Sequence, residues 1–123
     1  MRPSAIDHVV IAVNDWDRSN AFYRDVLGAE VRQEDPFYGQ YGFGDWFLSV
    51  HGPGFDGLNA ARPVAPGNVD LCFVWPASIE DAVAHLRGHG VRIESGPLVG
   101  RDGLPHVYFR DPDGSLLELV CRP

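Results

Sequence analysis

Two histidines and two carboxylates are of the residue types that bind divalent cations: His8, His51, Asp70 and Glu118. Alternate side chains of an extended strand share one face. In the run from Ile6 to Val13, His8 therefore lies with Val10 and Ala12, opposite Val9, Ile11 and Val13. In a second apolar run, Asp70 lies with Cys72 and Val74, opposite Leu71, Phe73 and Trp75. The bulkier, more apolar sets should pack under helices, which leaves His8 and Asp70 on the other face of their sheets. Glu118 sits among Leu116, Leu117, Leu119 and Val120. A lone charge is costly there unless a cation or strong donors meet it. Setting Phe47-Leu48-Ser49-Val50 on Leu116-Leu117-Glu118-Leu119 puts Ser49 opposite Glu118, and His51 shares the face of Ser49. Two imidazoles with one or two carboxylates suit Fe, Mn, Zn, Ni or Co.

Each of these residues also has a plain structural alternative. His8 can be a hydrogen-bonded strand histidine, Glu118 a paired carboxylate, Asp70 an acceptor for a nearby loop, and His51 a solvent-facing strand end. His106 and Tyr108 alternate onto one face of a later strand and are candidates for acid or base work, together with Glu118. The Arg101-Asp102-Gly103 segment reads as a solvated turn, and Tyr41, Phe43 and Trp46 read as core packing rather than as an apolar wall for a ligand.

The elements that must position these groups come in two copies. Moving the chain along itself by 62 residues sets Ile6 to Val31 on Asn68 to Ile93, so that His8 meets Asp70 and Gly28 meets Gly90. Each copy reads as a strand, a polar break, an amphipathic helix, a glycine and a second strand. The helices are expected from Ala21, Phe22, Val26 and Leu27, and from Ile79, Ala82, Val83 and Leu86. Asp15 or Asp17 and Ser78 are the expected N-caps, and Gly28 and Gly90 the stops. Phe37 to Phe43 and Trp46 to His51 form an expected hairpin; His106 to Arg110 and Ser115 to Cys121 flank the turn Asp111-Pro112-Asp113-Gly114. Residues 52–67 carry three prolines and four glycines and read as a loop. The expected organisation is one domain over 1–123, with module one at about 4–51 and module two at about 68–123.

The motifs Ile6-Asp7-His8-Val9-Val10-Ile11-Ala12-Val13, Ala21-Phe22-Tyr23-Arg24-Asp25-Val26-Leu27-Gly28 and Tyr108-Phe109-Arg110-Asp111-Pro112-Asp113-Gly114-Ser115-Leu116-Leu117-Glu118-Leu119 resemble the vicinal oxygen chelate superfamily. That superfamily spans glyoxalases, bleomycin-resistance proteins and extradiol dioxygenases. The central stretch Pro66-Gly67-Asn68-Val69-Asp70-Leu71-Cys72-Phe73 is similar to its glyoxalase-domain branch. The resemblance implies an α+β fold, two tandem βαβββ modules forming a curved mixed-sheet cup with helices outside. It implies a divalent metal in the cup, with His8 and Glu118 at ligand places. The chain departs from the family pattern at Asp70, where a histidine is usual, and at Ser49, where a carboxylate is expected. The implied activity is lyase, isomerase or dioxygenase chemistry on a small molecule whose oxygens chelate the ion. The alternative is a metal-free small-molecule binding or drug-sequestering protein of the bleomycin-resistance type. The resemblance also implies a homodimer, in which a symmetric partner covers open strand edges.

Composition narrows the partners. All ten basic side chains are arginine, they are scattered, and the formal charge of the 123 residues is −7. No basic stripe offers itself to phosphates, which argues against nucleic acid. There is no Gly-rich phosphate loop, CxxC pair or serine elbow. No apolar run reaches the length of a membrane span. The first strand begins without the flanks of a signal peptide, and both cysteines, Cys72 and Cys121, lie in apolar runs as expected of buried thiols. A cytoplasmic protein is the expectation.

Overall fold

A computed structural model describes residues 1–60 and 65–122; of the expected loop 52–67, positions 61–64 lie outside the described residues. The chain divides into two compact units, Met1–Pro66 and Gly67–Pro123. Each is a βαβββ module, and the α+β class expected from the sequence is the one observed.

Unit one runs β1 (His8–Ala12), α1 (Trp16–Asp25), β2 (Glu30–Gln33), β3 (Tyr38–Phe43) and β4 (Trp46–His51). Its sheet has the order β1-β4-β3-β2, with β1 parallel to β4 and the other pairs antiparallel. Unit two repeats this with β5 (Asp70–Trp75), α2 (Ile79–Gly88), β6 (Ile93–Val99), β7 (Pro105–Arg110) and β8 (Leu116–Cys121). Its order is β5-β8-β7-β6, with β5 parallel to β8.

Local chemistry starts and stops the helices. The Asp15 carboxylate accepts from the Arg18 N–H at 3.0 Å, and the Ser78 hydroxyl from the Asp81 N–H at 3.1 Å. Asp17 falls in the first turn of α1, where the helix dipole favours an acid. At the end of α2, Gly90 takes φ +71°. The Val91 N–H then reaches the Leu86 carbonyl at 2.9 Å and the Gly90 N–H reaches that of Arg87 at 3.0 Å, a Schellman stop. The 111–114 turn forms as expected, with Asp111 Oδ1 accepting from the N–H groups of Asp113 and Ser115, both at 2.9 Å.

One face of each sheet lies under its helix. In unit one Ile11, Val13, Tyr41, Leu48 and Val50 are buried there; in unit two Phe73, Val107, Phe109, Leu117 and Leu119 are buried, with Ala82 and Leu86 of α2. The alternation read from the strands thus holds. The face of α1 is a correction: Ser19, Tyr23 and Val26 are buried, while Ala21 and Phe22 are only half-buried. Tyr23 stacks on Tyr41 at 4.5 Å, and the Ser19 hydroxyl meets that of Tyr41 at 2.7 Å. A hydroxyl pair therefore occupies ground that an apolar pattern cannot mark. Trp46 is a second correction. It stacks on Phe43 at 4.8 Å at the hairpin end and is largely exposed rather than core. Cys72 is a third: Cys121 is buried, whereas Cys72 is exposed on the face opposite α2. No helix among the described residues is long and apolar enough to cross a membrane.

Candidate metal centre

The face of unit two turned away from α2 carries its ionisable side chains. Cross-strand partners share a face. In β5, β8 and β7 the register aligns Cys72 with Glu118 and Glu118 with Tyr108; His106 lies one step along, opposite Val120. Nδ1 of His106 is 2.9 Å from Oε1 of Glu118, and one ligand atom each from Cys72, His106 and Glu118 lie within 4.8 Å of one another. Side-chain exposure is 9% for His106 and 14% for Glu118. Here is the company that a carboxylate among leucines requires. Asp70 shares this face but pairs with Leu116, one step towards Arg110.

Behind His106 stands Asp102, whose carboxylate lies 2.9 and 3.0 Å from Nε2. The segment read as a solvated turn is therefore an anchor for the imidazole. The Leu104 N–H also donates to Asp102, at 3.0 Å. Those hydrogen bonds, the Leu104 N–H first and His106 second, hold the Asp102 carboxyl below its ordinary range. Space is tight: a Cβ at Gly100 would stand 2.9 Å from the His106 ring and 3.0 Å from Asp102 Oδ1. The missed residues are thus Cys72 and Asp102. The spacing of Asp102 to His106 across a Gly-bounded turn was the available signal; Cys72 left none, because its partner comes from another strand.

An imidazole clasped by two carboxylates has a simple constraint. A neutral ring donates through one nitrogen only, so its second nitrogen presents a lone pair to a carboxylate oxygen. A cation relieves that contact. Partial burial, then the Glu118 charge and its hydrogen bond, push the Cys72 thiol up to about 12. Burial and the same carboxylate also raise Tyr108, so its phenol stays protonated and can donate.

In unit one the equivalent places hold no such set. Val10, Ser49 and Tyr38 stand where unit two has Cys72, Glu118 and His106. Ser49 is buried, its hydroxyl 3.2 Å from that of Tyr38, which in turn accepts from the Gln40 amide at 3.2 Å. His8 is 40% exposed, hydrogen-bonded to Asp7 at 2.7 Å and stacked on Phe47 at 5.3 Å. His51 is buried, stacked on Phe55 at 3.6 Å, with its Nδ1 3.3 Å from Oδ1 of the Asn59 side chain. It does not face solvent from a bare strand end. His8 pairs with Phe47 and His51 with Ala12, so the two histidines lie about 13 Å apart along the parallel strands. The structure does not bring them together. His51 instead lines a cavity of about 670 Å³ with Asn14, Pro53, Phe55 and Asn59.

The residues present fit a divalent ion in unit two, where thiol, imidazole and carboxylate converge.

Known proteins agree with this fold. The chain is 38% identical over 118 residues to the glyoxalase domain-containing protein RDO1 of Mycosarcoma maydis, covering 94% of this chain and 66% of that protein. It superposes on the crystal structure of virulence protein STM3117 from Salmonella typhimurium with TM-score 0.87 and 31% identity, covering all of both chains. Lactoylglutathione lyase from Agrobacterium tumefaciens gives TM-score 0.78 at 25% identity, covering 98% of this chain and 96% of that one. Residues 5–119 match the description of one family, and the chain belongs to it: the Glyoxalase/Bleomycin resistance protein/Dioxygenase superfamily.

Proposed function

We propose that this chain is a divalent-metal-dependent enzyme acting on a small molecule through oxygen atoms held at the ion, with lyase or isomerase chemistry. One observation carries the reading: Glu118 is largely buried with a histidine at 2.9 Å, within a Cys–His–Glu group of metal-ligating atoms. When bound, the ion supplies a Lewis acid for the oxyanion that develops as a proton leaves carbon. Glu118 would hold the ion, and Asp102 fixes the His106 ring beside it. Tyr108 pairs with Glu118 across β7 and β8 and keeps its phenol proton, so it donates to a substrate oxygen. The family resemblance also offers Asp70 on the same face of unit two, whereas His8 and His51, at opposite ends of the paired β1 and β4, cannot both hold one ion. The two units act as one domain, in the cytoplasm, as a homodimer. The edge strand β6, with Leu98 and Val99 exposed, gives a symmetric partner an open edge to cover.

The test is metal content per chain in freshly purified protein, followed by assays on hemithioacetals, 2-hydroxy carbonyl compounds and catechols. Chelation should abolish turnover and one of Mn, Fe, Co, Ni or Zn should restore it. Protein that retains no metal and gains no activity from any of these ions refutes the reading. The cavity at His51 favours a second reading, metal-free binding of a small planar molecule. Its volume lies within the range of ligand pockets, and the His51–Phe55 stack lines its wall. Ligand binding that survives chelator and fails in His51→Ala would support that reading.

A further inference from the structure

We infer that the ion is held by Cys72, His106 and Glu118, and that this set selects a thiophilic ion of the zinc type, with Asp102 as the outer partner that orients His106. The inference rests on the reading above that a metal is bound, and it names the ligands and the class of ion.

Four observations converge. First, the three donor atoms lie within 4.8 Å of one another. A tetrahedral zinc site needs its ligand atoms about 3.3–3.6 Å apart, so shifts of an ångström or less bring them to one ion. Second, the two nitrogens of His106 already divide their roles. Nε2 faces Asp102 at 2.9 Å and Nδ1 faces Glu118 at 2.9 Å. Histidines that bind metal commonly donate their other N–H to a carboxylate, which fixes the tautomer and leaves one lone pair for the ion. With Nε2–H given to Asp102, the Nδ1 lone pair and the Glu118 oxygen form a two-acceptor contact that a cation satisfies.

Third, the pocket behind His106 is shaped for this ring: position 100 tolerates no Cβ without crowding both the imidazole and Asp102. Fourth, the duplicated module serves as an internal control. Its equivalent positions carry Val10, Ser49 and Tyr38, a set with no thiol, imidazole or carboxylate. The ligand group is therefore a property of the second copy and not of the βαβββ framework. Thiolate and imidazole favour zinc and its cobalt surrogate over magnesium or manganese, which prefer oxygen. Three protein ligands leave a fourth position open for water or a substrate oxygen, the arrangement of a catalytic rather than a structural site.

The experiment is a titration of the chelator-treated full chain with Co(II), followed by displacement with Zn(II). A thiolate-to-cobalt charge-transfer band should appear in the near ultraviolet, saturate at one ion per chain, and vanish on adding Zn(II). Cys72→Ser should keep the fold by circular dichroism and lose the band. Asp102→Asn should weaken binding ten- to hundredfold, and His106→Ala should weaken it further. No charge-transfer band at saturating cobalt, or an unchanged band in Cys72→Ser, overturns the assignment. If His8→Ala or Asp70→Ala abolishes binding while Cys72→Ser and His106→Ala do not, the assignment falls and the metal-dependent reading stands. If the band behaves as expected but the loaded protein turns over no substrate, the ligands stand and the enzymatic reading falls.

Discussion

Removing the charge of Glu118 should make Cys72 more reactive, and the structure gives the size of the effect. The thiol is pushed from its ordinary 9.0 to about 12, by partial burial first and then by the Glu118 charge and hydrogen bond. A rise of about three units lowers the thiolate fraction at pH 8 roughly a thousandfold. The more basic thiolate is intrinsically a better nucleophile, by about 0.4–0.5 log per unit, which returns roughly 15- to 30-fold. In chelator-treated protein, Cys72 should thus react with an aromatic disulfide some 30- to 60-fold more slowly than an unperturbed thiol. The rate should keep rising with pH beyond 10, without an inflection near 9. Glu118→Gln keeps the shape and deletes the charge. Its rate at pH 8 should rise several-fold but by less than the full factor, because burial is the larger cause and remains. A Cys121→Ser background isolates the signal, since Cys121 is itself buried and its thiol likewise raised by burial. A wild-type inflection near pH 9, or identical rates in wild type and Glu118→Gln, would refute the reasoning.

Three further outcomes are expected. Tyr41→Phe deletes the hydroxyl that donates to Asn20 at 2.8 Å and meets Ser19 at 2.7 Å in the core of unit one. It should cost about 1–3 kcal/mol in a urea titration, and no measurable change would mean that water or a neighbour satisfies Ser19 instead. Gly100→Ala places a methyl 2.9 Å from the His106 ring. It should lower ion affinity ten- to hundredfold, the scale of losing an outer partner, while the circular dichroism spectrum stays unchanged; unaltered affinity by titration would show that the turn yields at no cost to His106. Zinc at a hundredfold excess over its dissociation constant should stabilise the wild-type chain by about 2.7 kcal/mol, an increment absent in Glu118→Ala. Equal shifts in both proteins on thermal melting would place the ion elsewhere.

Much of the framework was legible in the chain, because what starts and stops these elements is local. Asp15 and Ser78 cap helices with their own side chains, Gly90 takes the positive φ that a Schellman stop requires, and Asp111 to Gly114 closes a turn through hydrogen bonds within five residues. The 62-residue repeat likewise needs no tertiary information to be seen. Strand alternation correctly separated Cys72 from Phe73, which is buried under α2. Alternation says nothing, however, about which residue of one strand lies beside which residue of another. That depends on register, and register is set by packing and turn geometry across the whole sheet. The β5–β8–β7 register puts Cys72 beside Glu118 and His106 within reach of it. The turn before β7 folds back to bring Asp102 to the same imidazole. Parallel pairing of β1 with β4 sets His8 against Phe47 and leaves His51 at the far end, so two histidines that share a face in sequence do not share a site. The sequence alone determined the modules, their caps and the faces of their strands. Only the tertiary structure decided which donors converge, because convergence is made by contacts between segments that are distant in the chain.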